Sequence, residues 1–326
     1  MTALNSGVLV TVIGGSGFIG RNVVRALAQR GYRVRVAVRR PDLAGHVLPQ
    51  GFPGQIMAVQ ANVRYPASLA AACDGAAAVV YLPGVLVDRS AQSFEAVHVF
   101  GAEAAAKAAR AAKAECFIHM SSLGANKASR SRYARTKAEG EVRARARFPG
   151  TVSLRPSIVF GPEDNFFNRF AGLARIVPAL PLFGRGLTRF QPVYVGDVAE
   201  AVALLVDRRE KSGKTYELGG PGIFTFKQLL EYVLKTTGRR RLLLSLPRAA
   251  GKVLASLTGF FPNPPITADQ LESLRTDNVV GKTALRDNRT LEGLGIIARD
   301  IEAIVPAYLY RYRKAGQFTA PSGMPE

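Results

Sequence analysis

Gly14-Gly15-Ser16-Gly17-Phe18-Ile19-Gly20 is the stretch on which the reading of this chain turns. Its glycines satisfy GxxGxxG from Gly14 and GxGxxG from Gly15. The pattern is weak alone, and its setting gives it weight. Val8 to Ile13 just before it is an apolar run of strand length, and Val23, Val24, Leu27 and Ala28 after it fall on one helical face. Gly31 follows where a helix C-terminus favours a residue that tolerates positive φ. A strand, a turn without side chains and a helix N-terminus let backbone N–H groups approach a pyrophosphate, so the stretch predicts dinucleotide binding.

Working outward, Arg33 to Val38 alternates basic and apolar residues as a second strand. Gln55 to Gln60, Ala77 to Leu82 and Cys116 to Met120 supply three more, and Val152 to Phe160 a further one. Phe94 to Lys113 is Ala-rich and long enough for a crossover helix. This alternation predicts an α/β fold, a Rossmann-type doubly wound parallel sheet, over residues 1–160. After Gly161-Pro162 prolines and glycines become frequent. Residues 161–326 therefore read as a smaller, partly interleaved C-terminal cap for a substrate or partner, with about 190–220, including a strand at Thr215 to Leu218, returning to the first domain.

At the end of the second strand an NAD site would carry a carboxylate for the ribose hydroxyls. Here Val38 is followed by Arg39 and Arg40, and a guanidinium suits a ribose 2′-phosphate, which favours NADP(H) over NAD(H). The alternative is that both arginines belong to a solvated basic excess.

That excess is large: 44 Lys and Arg against 24 Asp and Glu give +20 over 326 residues. A nucleotide phosphate, an anionic membrane surface, an acidic protein or nucleic acid would each fit, and nucleic acid is disfavoured because no binding motif accompanies the charge. Apolar residues at 48% and charged residues at 21% describe a globular chain. Cys73 and Cys116 lie in apolar stretches, and with only His46, His98 and His119 beside them no metal site is expected. Val8 to Ile19 lacks the basic start of a signal peptide, and Leu242 to Phe261 is interrupted by Pro247, Arg248 and Lys252. No spanning helix is expected, and the location implied is cytoplasmic, peripheral to the inner face of a membrane. Leu242 to Phe261 behind Arg239, Arg240 and Arg241 suits an anionic surface or an ordinary cap helix, and Tyr308, Tyr310 and Tyr312 between Arg311 and Arg313 suit an interface.

Tyr133 and Lys137, four apart, share a helix face, and Ser122 ends the preceding strand. A nearby ammonium favours phenolate and brings the tyrosine towards proton transfer at neutral pH, while the serine hydroxyl polarises a carbonyl. A helix that is merely basic explains the same pair without turnover.

These features, with Leu154-Arg155-Pro156, Val159-Phe160-Gly161-Pro162 and Pro192-Val193-Tyr194-Val195-Gly196-Asp197-Val198-Ala199, resemble the extended and atypical short-chain dehydrogenase/reductases. The resemblance implies catalytic roles for Ser122, Tyr133 and Lys137. It implies a cofactor lining of Gly14, Gly15, Ser16, Gly17, Phe18, Ile19, Gly20, Arg39, Arg40, Asn62, Val63, Leu82, Tyr133, Lys137 and Pro156. Phe160 to Phe170 and Ile266 to Leu271 through Thr276-Asp277-Asn278-Val279-Val280 are similar to the NADPH-binding accessory subunits of respiratory complex I and their bacterial relatives. That implies tightly bound NADPH beside a membrane complex, with catalysis open; a related branch implies a quinone-like or other apolar substrate. The chain departs from the pattern at Asn62, where relatives carry Asp, at His98, where extended members carry Asn, and in a short Ser122 to Tyr133 interval.

Overall fold

The computed structural model describes residues 5, 7–89, 92–247, 251, 267–314 and 316. Most of the 242–261 stretch, including Lys252, therefore lies outside the described residues, as does Ile266.

In chain order the elements are β1 (Leu9–Ile13), α1 (Phe18–Gln29), β2 (Arg33–Val38), β3 (Ile56–Gln60), α2 (Pro66–Cys73), β4 (Ala78–Tyr81), α3 (Gly101–Ala111), β5 (Cys116–Met120), α4 (Arg132–Arg147) and β6 (Val152–Pro156). There follow β7 (Val159–Phe160), α5 (Phe167–Ile176), β8 (Ala179–Phe183), β9 (Arg189–Phe190), β10 (Val193–Tyr194), α6 (Val195–Asp207), β11 (Thr215–Leu218), β12 (Phe224–Thr225), α7 (Phe226–Thr236) and β13 (Leu242–Leu246). Short helical turns complete the described chain.

Two compact units emerge. The first holds residues 1–156, 195–218 and 281–297, the last of which the sequence reading assigned to the cap. Its seven strands run β11-β6-β5-β4-β1-β2-β3, all parallel. Val10, Val12, Val36, Val79, Val80, Phe117, Ile118 and Leu154 are fully buried, the near-continuous apolar content of strands covered on both faces. The chain winds from β1 outward through β2 to β3, then resumes at β4 on the other side of β1. The connections after β1 and β4 therefore leave in opposite directions, and such a switch point opens a crevice at the strand C-termini.

The helix expected over 94–113 is interrupted. Glu95–Phe100 forms a π-helical turn before α3. Tyr81 Oη donates to the Val97 carbonyl within this turn at 2.6 Å. The strand expected over 152–160 is two strands: β6 belongs to the large sheet, while β7 pairs with β10.

The second unit holds residues 157–194, 219–280 and 298–326. Phe160, Phe167, Phe190, Phe226, Leu230 and Tyr308 form its core. Tyr308 is thus no surface group, contrary to the sequence reading: its hydroxyl donates to Asp164 Oδ2 at 2.6 Å. Among the described residues no helix is long and apolar enough to cross a membrane.

Candidate cofactor and catalytic site

Gly14 adopts φ +80°, a backbone state that L side chains rarely reach, and its N–H donates to Ala37 O at 2.9 Å. A Cβ on Gly20 would stand 2.4 Å from Gly14 O and 2.7 Å from the Gly15 backbone, so only glycine lets α1 begin this close to the turn. Gly17 caps α1 without a side-chain bond, and no acid lies in the first turn. The positive end of α1 is accordingly offered to an anion by the turn Gly14, Gly15, Ser16, Gly17, Phe18, Ile19 and Gly20. Sequence reasoning did not find His46, whose Nε2 lies 3.1 Å from Ser16 O and ties the segment after β2 to this turn.

Arg39 and Arg40 are both exposed just beyond β2. Arg40 donates to Asp42 from Nε and Nη2, at 3.0 and 2.7 Å, whereas Arg39 has no partner among the described residues. Asn62 is engaged locally: its Oδ1 accepts from Arg64 N–H at 3.1 Å and its own N–H donates to Ser68 Oγ at 3.0 Å, a turn that leads into α2. Val63 packs against Gly101, where a Cβ would come within 3.0 Å of the Val63 Cβ.

The connection after β4 joins the two halves of the site. Leu82 N–H donates to Ile13 O at 3.1 Å, and Pro83 would meet a Cβ on Gly14 at 3.4 Å. On its other side, a Cβ on Gly84 would lie 3.2 Å from Lys137 Nζ. Val85 N–H donates to His98 Nε2 at 3.1 Å, and His98 Nδ1 lies 3.0 Å from Thr136 Oγ1. Because Nε2 accepts, Nδ1 carries the proton and donates to the threonine. Burial drives the His98 pKa far down, with Lys137 adding to the effect, so the ring stays neutral. Its position inside the π turn hid this role from a reading by periodicity.

Ser131 Oγ accepts from Ala134 N–H at 3.2 Å and starts α4. Tyr133 is half-buried, and its ring meets those of Phe94 and His98 edge-on. Lys137 is 3% exposed; Nζ donates to Met120 O at 3.0 Å and lies 6.0 Å from the Tyr133 ring centre. Burial pulls its pKa from 10.5 to about 8, with Glu141 opposing the fall. Met120 is two residues before Ser122, so this bond sets the ammonium beside the end of β5. Ser122 Oγ is buried without a hydrogen-bond partner among the described residues. Pro156 O accepts from Leu123 N–H at 2.9 Å, which holds the Ser122 segment against β6. Arg155 grips Glu141 with Nε and Nη2 at 2.8 and 2.7 Å and fixes α4 over the same strand.

The side-chain-free turn at Gly14–Gly20, at the start of α1, fits a pyrophosphate. Among the described residues no group of His, Cys, Asp and Glu can hold a metal.

Residues 10–219 match the NAD dependent epimerase/dehydratase family. The chain is 34% identical over 323 residues to the mitochondrial NADH dehydrogenase [ubiquinone] 1 alpha subcomplex subunit 9 of Arabidopsis thaliana, covering 95% of this chain and 79% of that one. It is 37% identical over 191 residues to the ceramide reductase of Caulobacter vibrioides, covering 59% and 58%. In fold it is similar to a double mutant of dTDP-glucose 4,6-dehydratase from Streptomyces venezuelae with NAD bound, with TM-score 0.69 and 19% identity over 94% of this chain and 97% of that one. On the Gly-rich turn, the sheet order and these likenesses together, the chain belongs to the NAD dependent epimerase/dehydratase family, and the cofactor class its turn serves is the nicotinamide dinucleotide.

Proposed function

We propose that this chain holds NADPH tightly as a factor associated with a respiratory NADH dehydrogenase complex at a membrane face. The observation that carries the cofactor choice is Arg39, an exposed guanidinium without a partner among the described residues at the end of β2, where an NAD site would place a carboxylate. Arg40 is shared with Asp42 and joins it. Support for the association is the likeness, over 95% of the chain, to a subunit named for such a complex. Charge and shape in the second unit agree with an anionic membrane neighbour: Arg175 and Arg240 are exposed, and Leu242 and Leu244 are 68% and 49% exposed on β13.

Titration of NADPH and NADH against melting temperature tests the cofactor. NADPH should bind roughly tenfold tighter or more, a margin of about 1.4 kcal/mol, and Arg39→Ala with Arg40→Ala should abolish the margin. Tighter binding of NADH overturns the assignment.

A second reading is favoured by Ser122 Oγ, which is buried and unpartnered beside the strand end to which Lys137 is bonded. When bound, the nicotinamide supplies a hydride. Tyr133 would give the proton, Lys137 would favour its phenolate, and Ser122 would orient the carbonyl of an apolar substrate, quinone-like or otherwise. The likeness to a protein named ceramide reductase supports an apolar substrate. Tyr133→Phe should then end turnover while NADPH still binds, and a fully active variant rules this mechanism out.

A further inference from the structure

The large sheet ends differently on its two sides. Ser153 N–H donates to Lys214 O at 3.0 Å, so alternation along β11 turns the backbone of Thr215 and Glu217 away from β6 and off the sheet. Both are taken up: Arg289 Nη1 donates to Thr215 O at 2.6 Å, and Glu217 N–H donates to Arg289 O at 2.9 Å. β3, at the other edge, has no such cover. Val34 N–H donates to Gln55 O at 2.9 Å and Ala61 N–H to Val38 O at 2.8 Å, so Met57 and Val59 bond to β2 while the N–H and C=O of Ala58 and Gln60 point outward. These outward groups have no partner among the described residues. Ile56, which shares their direction, is 6% exposed and forms the buried start of the strand.

Natural sheets blunt an open edge with charge, proline or a bulge. Ile56-Met57-Ala58-Val59-Gln60 holds no charge and no proline, and its register with β2 is unbroken. Apolar side chains face water beside it: Met57 is 53% exposed, Phe52 63%, and Leu43 and Leu48 are exposed on the helical turn Pro41–Gln50, which packs against β3. Single exposed apolar residues are ordinary, whereas a group of them beside an open edge marks an interaction surface. Charge selects its occupant. Arg33 is exposed just before the pair Val34–Ile56, Arg64 is exposed beyond the other end of β3, and neither has a carboxylate partner among the described residues. A second copy pairing antiparallel about Ala58 would bring Arg33 of each chain towards Arg64 of the other, like charge against like, whereas a carboxylate at each end of the occupant answers both.

We propose that β3 adds a strand from another protein: an extended segment with apolar residues at alternate positions and an Asp or Glu at either end, bonded through the backbone of Ala58 and Gln60 and seated on Met57 and Phe52. β2 separates β3 from β1 and its Gly-rich turn, so strand addition requires neither NADPH nor a membrane.

Amide hydrogen exchange on the full chain tests this, with the synthetic peptide Glu-Val-Thr-Val-Thr-Val-Glu as the probe. The amides of Ala58 and Gln60 should exchange fast in the free chain and slow by roughly tenfold or more in saturating peptide, while those of Met57 and Val59, already bonded to β2, change little. The same peptide with lysine at both ends should protect them far less. Ala58→Pro removes an outward N–H that β2 does not use, so it should abolish the protection of Gln60 and leave exchange elsewhere as in the wild type. If that variant fails to fold, Gln60→Pro gives the same comparison at Ala58. No protection by the acidic peptide up to millimolar concentration, or equal protection by the lysine peptide, overturns the proposal. Slow exchange at Ala58 in the free chain that quickens on dilution gives the edge to a second copy and overturns it as well.

Discussion

Lys137 carries a charge into a place that resists it. With its pKa lowered from 10.5 to about 8, the folded state withholds about 3 kcal/mol while the ammonium is charged. The cost is full below pH 8, where both states are protonated, and is relieved as pH rises towards 10.5 and only the unfolded chain keeps the proton. Lys137→Met should therefore raise the melting temperature by several degrees at pH 7, with an advantage that shrinks towards pH 10, while cofactor affinity falls. A melting temperature that drops at pH 7 would contradict this account. Glu141, one turn further along α4, is 3% exposed and gripped by Arg155. Glu141→Ala leaves the guanidinium with only the longer contact to Glu217, 3.8 Å from Nη1, and should cost about 3 kcal/mol in chemical denaturation. An Arg155→Met, Glu141→Met double variant should lose much less.

At the scale of elements, two glycines set how closely helices approach. A Cβ on Gly140 would sit 2.0 Å from the His98 carbonyl. Gly140→Ala should therefore push α4 from the π turn, lower stability by about 1–3 kcal/mol and disturb the Val85–His98 bond, seen as weaker binding of NADPH and NADH alike. Gly20→Ala meets Gly14 O and the Gly15 backbone instead. It should weaken both nucleotides by calorimetry while circular dichroism stays close to wild type, because the clash is confined to the turn. These elements were unequally legible in sequence. β1, the Gly-rich turn and α1 are written locally, in alternation and helical periodicity over about 20 residues. The π turn was not: Tyr81, which bonds to Val97 within it, stands 16 residues away, and only the fold brings the two together. Asn62 likewise reads as a cofactor position by resemblance, yet its side chain closes a turn onto Arg64.

For the whole molecule, a charge of +20 makes long-range attraction to anionic surfaces the expected behaviour. Retention on vesicles rich in anionic lipid should be strong at low salt, lost at high salt and absent from neutral vesicles, and equal indifference to both lipids removes the membrane neighbour from the proposal. The sequence by itself determined the parallel α/β sheet, the dinucleotide turn and the basic balance, because strand periodicity, missing side chains and net charge are properties of neighbouring residues or of simple sums. Only the tertiary structure decided that Tyr308 is core, that residues 281–297 join the first unit and that His98 is a neutral tie. Each of these depends on register and contact between segments far apart in the chain, and the free energy of burying a polar atom is fixed by what those distant segments place beside it.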